Sequence, residues 1–267
     1  MLDLSFIILT WNSQKYVGRC LDSIMNKCED ERVDFEIIVI DNGSEDGTVS
    51  ILNEYKQKRQ DSLQLILLDS NRGTTYTRNL GLKKARGEYI CVLDSDTEFG
   101  EGKLSGIFEL WASHPKLGIV APRLVLGDGT VQNSVKKFPT FWHKLLKLPK
   151  AVLGLKVKDY DFYESFPFKD IREVDSAISA CWFFSRDLMA HVGLLDEKIF
   201  YAPEDLDYCM STHKAGLTIL YYPYLTVLHH TQRISHRRPF SKVSLSHFGG
   251  LLYYYRKHGC WFSSPVP

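Results

Sequence analysis

The run Tyr89-Ile90-Cys91-Val92-Leu93, followed at once by Asp94-Ser95-Asp96-Thr97-Glu98, constrains this chain more than any other stretch. Five apolar or aromatic residues in succession predict a strand buried on both faces, as in the middle of a parallel sheet. Acids have no reason to follow such a strand unless something at the sheet's edge needs them. In open α/β sheets, ligands bind at the carboxyl ends of the strands, where Asp94 and Asp96 would sit. Two hard oxygen donors there suit a hydrated Mg²⁺ or Mn²⁺ shared with substrate phosphates. Taken alone, an Asp-x-Asp also serves as an acidic turn or helix N-cap, so the rest of the chain has to decide.

That rest alternates strand and helix with short polar joints. Residues 4–10, 35–40 and 64–68 read as further strands, mostly apolar and each ending on polar residues. Between them the pattern predicts a helix through Tyr16 to Ile24 with Ser13 as its N-cap, and another near Val49 to Tyr55. A third runs from about Thr75 to Ala85, with Gly87 as its C-cap residue. This alternation is the βαβ signature of a parallel sheet. Right-handed crossovers then bring the loops after Thr10, Ile40, Leu68 and Leu93 to one edge. Asp41 at that edge can accept from the N3–H of a pyrimidine base, with Thr10 and Asn12 flanking it. Backbone N–H groups near Gly43, Ser44 and Gly73 can approach phosphate oxygens. Neither GxGxxG after the first strand nor GxxxxGK[ST] is present, so dinucleotide and P-loop readings lack their phosphate cradle.

Composition closes off other classes. With 267 residues and 44% hydrophobic content the chain can bury a large core. Lys+Arg 33 against Asp+Glu 32 gives no bulk charge to argue for nucleic acid. The six cysteines form no CxxC or zinc spacing, and Cys91 and Cys181 lie in apolar runs as reduced core thiols. A reducing cytoplasmic setting is expected from them. No basic region precedes the first apolar run, so no signal peptide is read, and no stretch approaches the ~20 apolar residues of a bilayer span.

The ordered series of motifs resembles family 2 glycosyltransferases. It comprises Thr10-Trp11-Asn12, then Val39-Ile40-Asp41-Asn42-Gly43-Ser44, and Asn71-x-Gly73. Arg78-Asn79-x-Gly81-x-x-x-Ala85-x-Gly87 and Leu93-Asp94-Ser95-Asp96 follow. The resemblance implies an α/β GT-A fold, a Rossmann-like, mostly parallel mixed sheet flanked by helices. It also implies an inverting, metal-dependent enzyme using nucleotide-sugar donors. Asp41 would then contact the base, Asp94 would lie near the ribose and metal, and Asp96 would ligate the metal at the diphosphate. Thr10, Asn12, Asn71, Gly73, Arg78, Asn79 and Ser95 join the donor site. Asp41-Asn42 replaces the two aspartates common in the family.

The second half continues the resemblance. Ile119 to Leu124 and Gly127 to Gln132 read as two short strands around a turn. Phe138-Pro139-Thr140 is similar to a segment of rhamnosyltransferase-like members. Residues 141–158 then interleave lysines with large apolar groups and contain no acid, a pattern suited both to a membrane surface and to a core-packing helix broken at Pro149. The stretch around Trp182 resembles the acceptor-side strand, without the usual glycine near Ser179-Ala180. Glu204-Asp205 resembles the pair that heads a helix in the family, which implies that Asp205 is the catalytic base with Glu204 beside it. A single carboxylate taking the acceptor proton suits an inverting displacement. His229-His230 ends the last strand, residues 225–228, and one of the two is implied as a further metal ligand. Arg233 and Arg237 belong to a basic loop able to close over a diphosphate. Residues 248–261 resemble the family's terminal helix.

The expected organisation is a GT-A unit over residues 1–230, with a donor half (1–100) and an acceptor half (101–230), and a C-terminal loop and helix at 231–267. The expected partners are a nucleotide-diphosphate sugar, dTDP-rhamnose-like or a UDP-sugar, and a saccharide or polyprenyl-linked acceptor. Peripheral contact with the inner face of the cell membrane is expected too, and the sequence leaves the oligomeric state open. A nucleotidyltransferase or a non-catalytic nucleotide- or carbohydrate-binding module are the competing classes.

Overall fold

The computed structural model describes residues 2–146, 161–231 and 242–266. Its main sheet runs in the order β3-β2-β1-β4-β10-β6-β11-β5. The first four of these are Leu63–Leu67, Phe35–Asp41, Leu4–Thr10 and Tyr89–Asp94 (β3, β2, β1, β4), all mutually parallel. The expected edge therefore forms: Thr10 pairs with Asp41, and Leu9 with Asp94, at the same sheet end. Side chains alternate as the pleat requires. Phe6, Ile8, Cys91 and Leu93 face helices α1 (Val17–Glu31), α2 (Thr48–Lys58) and α4 (Ser105–Ser113). Ile7, Ile38, Ile40, Ile90 and Val92 face α3 (Thr74–Leu82) and the helices of the C-terminal half. Burial on both faces explains the unbroken apolar runs.

Beyond β4 the sheet becomes mixed. β10 (Cys181–Ser185) inserts antiparallel between β4 and β6 (Leu117–Val125), and the twelve-residue β11 (Thr218–His229) lies parallel to β6. β5 (Thr97–Phe99) and β8 (Arg172–Glu173) pair antiparallel with β11, while β7 (Val135–Lys136) and β9 (Ser176–Ala177) form a separate ribbon. The last described helices are α5 (Phe141–Leu146), α6 (Arg186–Val192), α7 (Glu204–Lys214) and α8 (Lys242–His258).

Several expectations shift. The turn at residues 126–130 forms, but only a single bridge, Val125 to Val131, follows it, because β6 spends its edges on β10 and β11. The last strand starts at Thr218 rather than 225. Ser13 does not cap α1 with its side chain; its carbonyl accepts from Tyr16 and Val17, and its hydroxyl meets Ser95 at 2.7 Å. Gly87 is not a C-cap either, since α3 ends at Leu82 and Lys83 is its C-cap residue. Gly87 instead lets β4 enter beside β1: a Cβ there would stand 2.7 Å from the Ser5 nitrogen, and its N–H donates to Ser5 Oγ. The lysine-aromatic stretch begins as α5, and its residues 147–158 lie outside the described residues.

Candidate active site

A cleft of about 520 Å³ opens at the carboxyl ends of β1 and β4. Trp11, Asn42, Asn71 and Gly73 line one part of it, and Ser179, Tyr201 and Asp205 line another. Gly73 holds φ +88 just before α3, and a Cβ there would strike the Phe200 carbonyl at 2.4 Å. Thr74 N–H and Thr75 Oγ1 donate to the carbonyls of Phe200 and Ile199, so α3 is tied to the loop that precedes α7.

Asp94, Asp96 and His229 offer ligand atoms that all lie within 4.8 Å of one another, a group able to hold a metal ion. The donor chemistry fits a divalent cation: two carboxylates and an imidazole whose other nitrogen is already used. His229 Nδ1 lies 2.8 Å from Gln132 Oε1, and its Nε2 lies 3.5 Å from Asp96 Oδ1. Burial resists a charge on His229, but the Asp96 contact and the two acid charges outweigh it and raise the imidazole pKa. His230, expected as the alternative ligand, is turned away. Successive side chains at a strand end point to opposite sides, and His230 bonds Glu98 and stacks on Tyr16 with ring centroids 5.0 Å apart.

Behind the acids sits Arg78, buried on α3. Its Nη2 donates to Asp94 Oδ1 at 2.6 Å, and its Nη1 donates to Glu204 Oε1 at 3.1 Å and Ser179 Oγ at 2.8 Å. One guanidinium therefore joins the metal-type cluster to the acidic head of α7. Glu204 is pushed up to about 7 by burial and then by the charge of Asp205, with Arg78 and the Ser179 hydroxyl pulling the other way. Asp205 is also raised by burial, against the Leu206 N–H on its Oδ1 at 2.8 Å. Among the described residues that N–H is its only hydrogen-bond partner, so Oδ2 is open. Glu204 is engaged and Asp205 is available.

The head of α7 is also held from its far side. Asp207, one turn along, accepts from Lys257 Nζ at 2.8 Å and lies 2.8 Å from His258 Nε2, both on α8. Lys257 reaches Asp196 as well, and Tyr253 donates to the same carboxylate. These contacts place the last helix against the helix that carries Asp205.

Other sequence candidates are placed differently. Asp41 is buried beneath the cleft and spends both oxygens on Thr10 Oγ1, Ser44 N–H and Ser44 Oγ, bracing the loop after β2. Asn12, at φ +50, accepts from Glu45 N–H and shapes that same loop. Asn71 accepts from Asn42 and from Gly73 N–H on the cleft wall. Asn79 is buried on the rear of α3, bonded to Leu195 and Glu197. Trp182 is not on the acceptor side: β10 turns it into the core against Tyr208, centroids 6.1 Å apart. Arg233 and Arg237 lie outside the described residues. Sequence reading missed Gln132, Ser179 and Tyr201 as site residues; only the long-range fold brings them to the cleft.

The model of the family described as "Glycosyl transferase family 2" matches residues 5–193. The Mycobacterium tuberculosis N-acetylglucosaminyl-diphospho-decaprenol L-rhamnosyltransferase is 24% identical over 284 residues, 98% of this chain and 87% of that protein. A Bacillus spizizenii poly(ribitol-phosphate) beta-glucosyltransferase is 35% identical over 103 residues, 39% of this chain and 16% of that protein. The crystal structure of GalNAc-T7 with UDP, GalNAc and Mn²⁺ superposes with a TM-score of 0.71 at 16% identity, over 96% of this chain and 48% of that one. This chain thus spans less than half of the Bacillus and GalNAc-T7 proteins, and the structural likeness speaks for the fold, which is the expected GT-A arrangement. With the match running from the first strand through α6, and its two aspartates at the mouth of the sheet, this chain belongs to glycosyl transferase family 2 and is a glycosyltransferase.

Proposed function

We propose that this glycosyltransferase moves a sugar from a nucleoside-diphosphate donor to a hydroxyl of a saccharide or polyprenyl-linked acceptor, with inversion. The observation that carries the reading is one cleft holding both the Asp94-Asp96-His229 group and the open carboxylate of Asp205. Asp94, Asp96 and His229 would hold Mg²⁺ or Mn²⁺, which when bound neutralises charge on the leaving diphosphate. Asp205 Oδ2 takes the proton of the acceptor hydroxyl. Arg78 and Ser179 fix Glu204, whose position sets that of its neighbour. Trp11, Asn42 and Asn71 line the trough for the nucleoside, with Asp41 beneath it bracing the loop after β2. Residues 1–100 supply the donor side and 101–230 the acceptor side. The L-rhamnosyltransferase activity of the M. tuberculosis relative favours a dTDP-rhamnose-like donor, and the UDP bound to GalNAc-T7 keeps UDP-sugars next.

The test is binding and hydrolysis of a panel of nucleotide sugars with Mn²⁺, Mg²⁺ or EDTA. We expect one donor to release its nucleoside diphosphate only with metal present. Release of pyrophosphate would identify a nucleotidyltransferase, and no binding of any donor with metal would defeat the reading. In the same assay Gln132→Leu should weaken metal affinity by roughly 10- to 100-fold, because His229 loses the partner that orients its ring. An unchanged metal titration would remove Gln132 from the site.

A further inference from the structure

Given the donor and metal chemistry proposed above, on which this rests, we infer that the Tyr201 hydroxyl is a catalytic hydrogen-bond donor to the departing nucleoside diphosphate. Tyr201 sits in the short link 199–203 that leads into α7, and the link is pinned on both sides of it. On one side the Phe200 carbonyl accepts from Thr74 N–H at 2.6 Å, and the Ile199 carbonyl accepts from Thr75 Oγ1 at 2.6 Å. Both donors open α3. On the other side Gly250 of α8 lies against the Ala202 carbonyl. A Cβ on Gly250 would stand 2.2 Å from that oxygen and 3.1 Å from Pro203 Cδ, so α8 reaches the link only because it has none. Tyr201 is thus held between α3 and α8, and it lines the cleft.

Asp94, Arg78, Glu204 and Asp205 line the same cleft, and the charges of all four act on the Tyr201 phenol. The phenol therefore stands between the group that would hold the metal and the carboxylate that would take the acceptor proton. In an in-line displacement the bond that breaks lies between those two stations. The acids beside Tyr201 have other donors: Asp94 and Glu204 accept from Arg78, and Asp205 accepts from Leu206 N–H. Among the described residues none accepts from the Tyr201 hydroxyl, which has no hydrogen-bond partner there. Burial, followed by the charges of Glu204 and Asp94, raises its pKa against the pull of Arg78, so the hydroxyl keeps its proton. What the cleft holds at this point is one neutral O–H with its donor capacity unspent. In the reaction the bond from the anomeric carbon to the diphosphate oxygen breaks, and its electron pair stays on that oxygen. The acceptor oxygen forms the new bond and its proton passes to Asp205. Tyr201 transfers no proton. It donates a hydrogen bond to the oxygen on which negative charge grows, a contact that is strongest in the transition state.

The experiment compares Tyr201→Phe with the wild-type full chain in Mn²⁺-dependent hydrolysis of the nucleotide sugar selected by the donor panel. Calorimetric binding of that donor, a Mn²⁺ titration and thermal melts are run on both proteins. Phenylalanine keeps the ring and its packing and removes only the hydroxyl. We expect kcat to fall roughly 10²-fold, the lower end for loss of one preorganised donor to a developing anion. The donor dissociation constant, the Mn²⁺ titration and the thermal midpoint should all stay at wild-type values, because the contact acts in the transition state. A kcat within a few-fold of the wild type would overturn the inference. A loss carried by KM and donor affinity with kcat unchanged would overturn it as well, by giving the hydroxyl to ground-state binding of the sugar. So would a lowered thermal midpoint joined to weaker Mn²⁺ binding, which would make Tyr201 a brace for the metal group. A wild type that hydrolyses no donor with metal present would defeat the donor-and-metal reading and this inference together. An active wild type matched by an active Tyr201→Phe would remove this inference alone.

Discussion

Asp205→Asn is expected to lower the turnover of acceptor transfer by about 10²- to 10⁴-fold, the usual worth of a positioned general base. Donor affinity and its metal dependence should stay close to wild type, because Asp205 touches neither Arg78 nor the Asp94-Asp96-His229 group. An amide there keeps the shape and the contact with Leu206 but cannot take a proton. Steady-state transfer kinetics together with donor calorimetry separate the two effects. The pH profile gives a second check. Burial raises the Asp205 pKa, so the acid limb of kcat/KM should lie above the ordinary carboxylate range. Activity should rise with pH through that limb as the base becomes ionised. A variant within a few-fold of wild type, or an acid limb at the usual carboxylate position, would take the base assignment away.

Arg78→Met should be among the most destabilising single changes in this chain. It leaves Asp94 and Glu204 facing each other's surroundings without their shared cation, and breaking a buried pair from one side costs about 3–5 kcal/mol. For a chain of this size that corresponds to a drop in Tm on the order of 6–20 °C. Lysine should rescue poorly, since one ammonium cannot reproduce a fork that reaches Asp94, Glu204 and Ser179 together. The pH dependence has a definite sign. Glu204 sits at about 7 in the folded protein against 4.5 ordinarily, so between those values the folded state binds more protons than the unfolded state. Stability from this group therefore falls as pH rises through that window. Removing Arg78 raises Glu204 further, so the loss should be larger at pH 8 than at pH 5.5. Thermal melts of the two proteins at both pH values measure it; equal losses would mean that Arg78 does not hold Glu204.

What could be read from the sequence follows from how local each signal is. The first four strands and the acids after Leu93 were legible because unbroken apolar runs and polar ends are set within a few residues of one another. The head of α7 was reached through the family resemblance of Glu204-Asp205, since acids that open a helix are common without any chemical role. The partners of those residues were not legible. Gln132 and His229 are 97 positions apart, and Arg78 and Glu204 are 126 apart, so their pairing is created only when β10 and β11 join the sheet. Gly87 was misread because a glycine after a helix is usually a terminator, whereas here it clears space for Ser5. Trp182 was misread because an aromatic near an expected acceptor strand says nothing about which side of the strand it takes. The choice between His229 and His230 needed only the strand's alternation, but alternation cannot be phased until one neighbour is known.

The clamp of Lys257 and His258 on Asp207 gives the molecule an order in time. Asp205 rides on α7, and α7 is pinned by residues made some fifty positions later. The family match ends at residue 193, before either helix. During synthesis on the ribosome every strand of the main sheet is therefore made before the residues that brace the head of α7.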